Sequence, residues 1–216
     1  VVAAPLVVMP LAAQGTSATI TLPIDPNGNN AGPFGPAPVG ADRFAQTFQR
    51  PAVSFDFLRT FTVYLGDFYL DGSGTGLRFR AGIFTVDGNT LGQQLFLSDE
   101  RAGSGAFPNF EPYTFNTSGL LLDLTMTTFA MLLQATSTQD TAMNAIAASS
   151  ATYNEGAFIV VGTDDGLLPL PLVPEMAFTA TFDAAPTTAV PEPGSVVLLA
   201  GGLVGVAAVA RRRRLN

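Results

Sequence analysis

The chain has 216 residues and no histidine, cysteine or tryptophan, and all ten of its basic residues are arginine. Without imidazole, thiol or amine side chains it cannot build a Ser-His-Asp triad, a cysteine nucleophile, a lysine Schiff base or a histidine metal site. Its net charge of −7 would repel nucleic acid. We therefore expect no nucleic-acid partner, no cofactor and no enzymatic activity. A paired-carboxylate glycosidase built from Asp99, Glu100 and Glu111 is the enzyme class that this composition leaves open.

The first 43 residues form two segments. Residues 1–13 are apolar and end in small residues, so they resemble the hydrophobic region and cleavage site of a secretory signal peptide. We interpret them as the remnant of such a peptide; the alternative is a buried first strand. The second segment, 14–43, shows a weak alternation over 17–22 that predicts a strand, and prolines and glycines over 25–42 predict a loop or linker.

Residues 44–183 show the pattern of β-strands. Apolar residues alternate with polar ones, as Phe178, Ala180 and Phe182 do with Thr179 and Thr181, and this period of two is typical of half-buried strands. The predicted strands are 44–49, 60–70, 77–86, 91–98, 110–116, 127–135, 157–163 and 175–183.

Turn-forming sequences separate these strands. Examples are Asp87-Gly88-Asn89, Ser118-Gly119 and Asp165-Gly166. Short strands at this spacing predict an all-β fold over 44–183, a single β-sandwich of jelly-roll-like form. Residues 139–150 predict a short helix, with a long loop over one sheet edge as the alternative.

Two glycine-rich segments are candidate calcium loops. The segment 71–76 has one carboxylate, Asp71, and Asp164-Asp165-Gly166 has two. Because Ca²⁺ takes about six to eight oxygen ligands, hairpin turns are the preferred interpretation of both, and no metal site is predicted.

The tyrosines are the aromatic residues with a polar group that could contact a sugar. They are Tyr64, Tyr69, Tyr113 and Tyr153. Tyr64 has the outward parity of its predicted strand, so it is the residue we single out for carbohydrate binding. Which ligand would bind is unknown from the sequence.

The C-terminal tail, 190–216, follows a spacer over 184–189 and has three parts in a fixed order. A Pro-Glu-Pro motif that cannot enter a helix comes first, an apolar run over 196–210 follows, and four arginines come next. The motif residues are Pro191, Glu192 and Pro193, and the arginines are Arg211, Arg212, Arg213 and Arg214. We predict a short C-terminal transmembrane helix whose arginines stop transfer and stay cytoplasmic, with the body of the protein outside.

This order of parts resembles the PEP-CTERM sorting signal of exported Gram-negative proteins. In that family an exosortase-like membrane protease or transpeptidase is thought to recognise the Pro-Glu-Pro motif and remove the tail. The resemblance implies a precursor anchored transiently in the inner membrane, which becomes a structural protein of the cell surface or extracellular matrix, associated with exopolysaccharide and biofilm. Two alternatives remain: a plain C-terminal membrane anchor, and a carbohydrate-binding module of the matrix that calcium could stabilise.

Overall fold

The computed structural model describes residues 17–36, 41–51, 55–67, 76–103, 108–123, 125–136, 143–169 and 174–184. These residues belong to one compact unit, Val1–Ala185; a second unit, Pro186–Asn216, lies outside the described part. The secondary structure of the described residues consists of β-strands. In chain order they are β1 (Ser17–Leu22), β2 (Asn30–Phe34), β3 (Arg43–Gln49), β4 (Phe57–Asp67), β5 (Arg78–Asp87), β6 (Thr90–Leu97), β7 (Arg101–Ala102), β8 (Glu111–Leu121), β9 (Thr128–Ala135), β10 (Asn144–Ala147), β11 (Phe158–Val161), β12 (Leu167–Pro169) and β13 (Phe178–Asp183).

The strands form two antiparallel sheets. The first sheet has the order β1-β13-β4-β10-β2, with β8 as a further partner of β4. Leu65 of β4 pairs with Ile146 of β10 on one edge and with Glu111 of β8 on the opposite edge. The second sheet has the order β12-β11-β3-β9-β5-β6, with β7 beside β5. Strands that are distant in the chain are therefore neighbours in both sheets.

Phenylalanine rings from the two sheets meet in the core. Phe79 of the second sheet lies 6.4 Å from Phe115 of the first, measured between ring centroids. Phe48 and Phe182 make a second contact of this kind at 6.2 Å. Because these rings project from the facing sides of both sheets, the fold is a β-sandwich, as predicted. The jelly-roll form of the sandwich stays a prediction.

The outer faces of the two sheets differ. In β13, buried phenylalanine and alanine alternate with half-buried threonine and aspartate, so the outer face of the first sheet is polar. In β9, five consecutive residues from Phe129 to Leu133 are buried, so the second sheet is apolar on both sides. On the outer side of the second sheet, the β5–β6 turn packs against the β11–β12 turn. Two backbone hydrogen bonds join these turns, from Leu91 N to Asp165 O at 3.0 Å and from Leu167 N to Asn89 O at 2.7 Å.

Two predicted elements, a loop and a helix, are wrong over the described residues. The predicted loop 25–42 contains strand β2, which tolerates Pro33 because it lies at the edge of the sheet, beside β10. The predicted helix 139–150 contains strand β10, all of whose residues are buried between β2 and β4. The apolar run Ala-Ile-Ala within β10 is too short for its periodicity to distinguish a helix from a buried strand.

The turn predicted at Ser118-Gly119 is also wrong. Both residues have a positive φ, 55° and 74°, but strand β8 continues through them. The pairing with β4 jumps from Thr60–Asn116 to Leu58–Leu120, so the extra residues form a bulge. The turns predicted at Asp87-Gly88-Asn89 and Asp165-Gly166 are confirmed, and Gly88 and Asp165 have φ values of 58° and 63°.

Phe79 provides a test of the shared core. Its ring is fully buried and packs edge-on against Tyr113 at 5.2 Å. We expect Phe79→Ala to lower the free energy of unfolding by about 3–5 kcal/mol, because it removes ring contacts with the facing sheet and leaves a cavity. Urea unfolding followed by circular dichroism measures this change. Leu121→Ala is the control, since Leu121 is 57% exposed; equal effects of the two substitutions would contradict the proposed role of Phe79.

Candidate functional site

The sequence-predicted sorting residues lie outside the described residues. These are Pro191, Glu192 and Pro193, the apolar run 196–210, and Arg211, Arg212, Arg213 and Arg214. Over the described part of the chain, no helix is long and apolar enough to cross a membrane. The predicted transmembrane helix and the signal-peptide remnant 1–13 both fall outside that part, so they stay predictions.

Strand β13 is the last described element before the tail. It pairs with β1 along one edge and with β4 along the other. At its end, Asp183 lies 3.8 Å from Arg59 on β4, an exposed ion pair that contributes little to stability. The chain therefore leaves the sandwich from a strand held by hydrogen bonds on both sides.

The tyrosines have different environments. Tyr64 is half-buried and alternates with the core residues Val63 and Leu65, so it points outward as predicted. Tyr113 lies in the core. The hydroxyl of Tyr153 accepts a hydrogen bond from the backbone N–H of Gln49 at 3.2 Å, and burial raises the pKa of this hydroxyl. Tyr69 lies outside the described residues. Of the three described tyrosines, Tyr64 is the one on an outer sheet face.

A regular array of threonines lies next to Tyr64 on the outer side of the first sheet. Strands β1, β13, β4 and β8 each place two polar residues, two positions apart in the sequence, on the outer side of the first sheet. We call this surface the threonine face; its residues are Thr19, Thr21, Thr179, Thr181, Thr60, Thr62, Thr114 and Asn116. The hydroxyls of Thr62 and Thr114 are 2.8 Å apart and form a hydrogen bond across the strand pair. The sequence does not predict this surface, because its residues come together only when the four strands pair in the folded sheet.

A cleft lies on the outer side of the second sheet, with a volume of about 460 Å³. Its walls carry hydroxyl, amide and apolar groups and no titratable side chain. We call it the second-sheet cleft; its lining residues are Thr47, Val86, Gly88, Asn89, Thr125, Met126, Thr127, Thr128, Ile159 and Leu167. The hydroxyl of Thr47 is already engaged, since it accepts a hydrogen bond from Ala157 N at 2.7 Å.

The carboxylates of the candidate calcium loop at 164–166 have protein partners. Arg43 donates from Nη2 to Asp165 Oδ1 at 2.5 Å and from Nη1 to Gly162 O at 2.9 Å. Asp164 accepts a hydrogen bond from Gly166 N at 3.2 Å. These bonds close a turn, which supports the hairpin interpretation. Asp71 lies outside the described residues, and within the described ranges no group of three or more acidic residues could hold a metal ion.

The candidate glycosidase carboxylates lie on two parts of the chain. Asp99 and Glu100 follow β6, and Glu100 forms an ion pair with Arg78 at 2.7 Å. Glu111 begins β8, where it pairs with Leu65. The Thr136 hydroxyl and the Arg78 guanidinium lower the pKa of the Glu100 carboxyl and so favour its ionised form, whereas a general acid must hold a proton at neutral pH.

Gln46 and Glu175 form a polar contact that the sequence did not predict. Gln46, on β3 of the second sheet, is fully buried. Its Nε2 donates to Glu175 Oε2 at 2.8 Å, and its Oε1 accepts from Met176 N at 3.1 Å. Met176 forms an antiparallel β-bridge with Ala148, the residue that follows β10 of the first sheet. The amide of Gln46 thus ties the two sheets together at one side of the core.

Comparison with known proteins identifies the tail. Residues 189–214 match the family model described as the PEP-CTERM protein-sorting motif. The chain carries a PEP-CTERM sorting motif. This finding confirms the resemblance seen in the sequence, and it supports an exported precursor that passes through the membrane. No curated protein and no solved structure matches the chain.

Glu175 provides a test of the contact between the sheets. Burial raises the pKa of its carboxyl, and the hydrogen bond from Gln46 opposes that rise. The Glu175 carboxyl therefore keeps its proton to a higher pH in the folded protein than in the unfolded chain. Protonation of Glu175 thus stabilises the fold at low pH, and this contribution is lost as the pH rises through the raised pKa. Glu175→Gln keeps an oxygen for Gln46 and removes the charge.

We expect the difference in Tm, Glu175→Gln minus wild type, to be larger at about pH 7 than at about pH 4. Thermal unfolding followed by circular dichroism at both pH values measures it. Glu155→Gln, at an exposed position, is the matched control and should show the smaller pH dependence. A Tm difference for Glu175→Gln that does not change with pH would rule out this account.

Proposed function

We propose that this protein is a non-catalytic structural component of the cell surface or extracellular matrix. It is exported, held briefly in the inner membrane of a Gram-negative cell by its tail, and processed by an exosortase-like enzyme. The observation that carries the proposal is the match of residues 189–214 to the PEP-CTERM sorting motif. The association with exopolysaccharide and biofilm is part of the proposal and rests on the resemblance alone.

Each part of the tail has a physical role in this scheme. Pro191 and Pro193 keep the motif extended, so that a membrane enzyme can read the Glu192 side chain and the backbone beside it. The apolar run has 15 residues, which cover roughly 22 Å of a ~30 Å hydrocarbon core at ~1.5 Å per residue. A run this short suits a temporary anchor, and the arginines at 211–214 hold its end at the cytoplasmic surface.

The composition of the rest of the chain supports a non-catalytic role. Without the four C-terminal arginines, six arginines accompany 17 acidic residues, for a net charge of −11. This excess of negative charge favours solubility and repels anionic lipid and nucleic acid. The catalysis in this scheme belongs to the processing enzyme, for which the tail is a substrate.

The test is mass spectrometry of the mature C-terminus from the native host, with and without its exosortase. We expect a terminus near residues 191–195 that depends on the exosortase. Glu192→Gln, which keeps the shape of the side chain and removes its charge, should reduce processing at least about tenfold, since a hydrogen bond to a charged group contributes about 1.5–3 kcal/mol. Glu155→Gln, in the body of the protein, should be processed like the wild type.

Finding the intact arginine-terminated tail in both strains would contradict this scheme. The protein would then be a plain membrane-anchored protein, which is the alternative that the sequence also allows. Normal processing of Glu192→Gln would show that the carboxylate of the motif is not recognised, and the role given to Glu192 would be wrong.

A second candidate function is carbohydrate binding in the same matrix. The observation that favours it is that two described outer surfaces with several hydroxyl groups, the threonine face and the second-sheet cleft, have no charged side chain among their residues in an acidic chain. Such surfaces suit neutral sugars, which offer hydroxyl groups and apolar C–H faces. Calcium is not included in this proposal, because Arg43 already binds Asp165 in the described loop.

Retention on insoluble polysaccharide tests this second function. We expect the full chain, kept soluble with a polyoxyethylene detergent that contains no sugar, to be retained by amorphous cellulose, a neutral β-glucan. Alginate, an acidic polysaccharide that has to be coupled to polystyrene beads because its salt dissolves, should not retain it, since the negative charges of the polymer and of the protein repel each other. An absence of retention by cellulose would count against carbohydrate binding.

A further inference from the structure

The threonine face is ordered in two dimensions. Thr21, Thr179, Thr62 and Thr114 are paired directly across β1, β13, β4 and β8 and form one row. The second row consists of Thr19, Thr181, Thr60 and Asn116. Residues that pair directly point to the same side of a sheet, so all eight side chains stand on one surface. The four on β1 and β8 are exposed, and the four on β13 and β4 are half-buried.

The spacing of these side chains follows from strand geometry. Neighbouring strands are about 4.8 Å apart, and residues two positions apart along a strand are about 6.6–6.8 Å apart. Three intervals between four strands therefore extend each row over roughly 14 Å. The contact of 2.8 Å between the hydroxyls of Thr62 and Thr114 shows that side chains within a row reach one another.

The chemistry of the face is uniform. A threonine hydroxyl both donates and accepts hydrogen bonds, and its methyl group offers a small apolar contact beside it. None of the eight residues is charged, although the chain without its C-terminal arginines has a net charge of −11. Charges begin beyond the second row, where Arg59 and Asp183 lie 3.8 Å apart and largely compensate each other.

Tyr64 extends this surface at the other end. It follows Thr60 and Thr62 on the outward side of β4, and it pairs with Pro112 of β8. A tyrosine ring offers an apolar surface for the C–H face of a sugar, with a hydroxyl at its rim. The face thus combines rows of hydrogen-bonding groups with one aromatic side chain, and it has no counter-charge for an acidic or basic ligand.

We propose that the threonine face, with Tyr64 at its margin, binds an extended neutral polysaccharide. The proposal rests on the carbohydrate-binding function above and assigns it a site. A polymer of repeating hydroxylated units matches the repeating hydroxyls of the face, and the absence of charge excludes the attraction that an acidic polymer would need. The strands at the two sides, β1 and β8, have no further strand neighbour within the described residues, so a polysaccharide can run along the rows, across the four strands, and continue past both sides.

The second-sheet cleft is the competing site. It is neutral and contains threonines too, but the β5–β6 turn at Gly88 and Asn89 forms one of its walls. A walled cleft of about 460 Å³ suits a small sugar or a chain end, whereas an open face suits the middle of a polymer. The two sites can therefore be separated by substitutions on opposite sheets.

The test is a triple variant of the face, Thr62→Val, Thr179→Val and Thr181→Val. Valine keeps the shape and β-propensity of threonine and removes the hydroxyl. We expect retention of the full chain by amorphous cellulose, in the same sugar-free detergent, to weaken by about tenfold or more, since each hydrogen bond contributes modestly and three are removed. Thr127→Val, in the second-sheet cleft, is the matched control and should be retained like the wild type.

Each other outcome overturns part of the proposal. Suppose that the wild type binds cellulose and that all the Val variants unfold at the wild-type Tm. If the triple variant then binds as well as the wild type, the threonine face is not the site, although carbohydrate binding is still supported. Weaker binding by Thr127→Val alone would place the site in the cleft. Retention of the wild type by alginate and not by cellulose would refute a neutral ligand, and no retention by either would refute the function as well as the site.

Discussion

The packing of phenylalanine rings between the two sheets is the interaction on which the rest of this structure depends. The chain has no cysteine, so no disulfide can hold the sheets together, and apolar burial must do so. Rings such as Phe61 and Phe115, stacked at 5.0 Å on neighbouring strands, fix which side of each strand faces inward. Because side chains alternate, the same constraint directs the intervening threonines outward. The polar outer surface of the first sheet is thus a consequence of its core.

The sequence predicts the strands that carry this alternation and misses those that do not. Strands β4, β5 and β13 have a clear period of two, and their described positions agree with the predictions apart from a few residues at the ends. Strand β10 is short and buried on all its residues, and β2 contains Gly32 and Pro33. What makes these segments strands is their pairing with each other, 110 or more residues apart in the chain, and no local pattern encodes such a pairing.

The same distinction between local and distant information applies to the candidate sites. The sorting motif was predictable because its three parts are consecutive in the chain, and their order alone carries the signal. On the threonine face, each strand shows only an ordinary Thr-x-Thr or Thr-x-Asn sequence, which β-propensity alone explains. The surface exists because Thr21, Thr179 and Thr62 are brought side by side. The contact between Gln46 and Glu175 was hidden for the same reason.

The proposed sorting and the proposed surface binding therefore depend on different properties of the chain. The sorting motif is defined by the linear order of its parts over residues 189–214. The buried phenylalanines of the described part, from Phe34 to Phe182, all precede Pro191, so removing the tail takes none of them away. Strand β13, which ends just before the tail, is held by β1 and β4 on its two edges. A cut after Pro193 would therefore leave both rows of the threonine face paired.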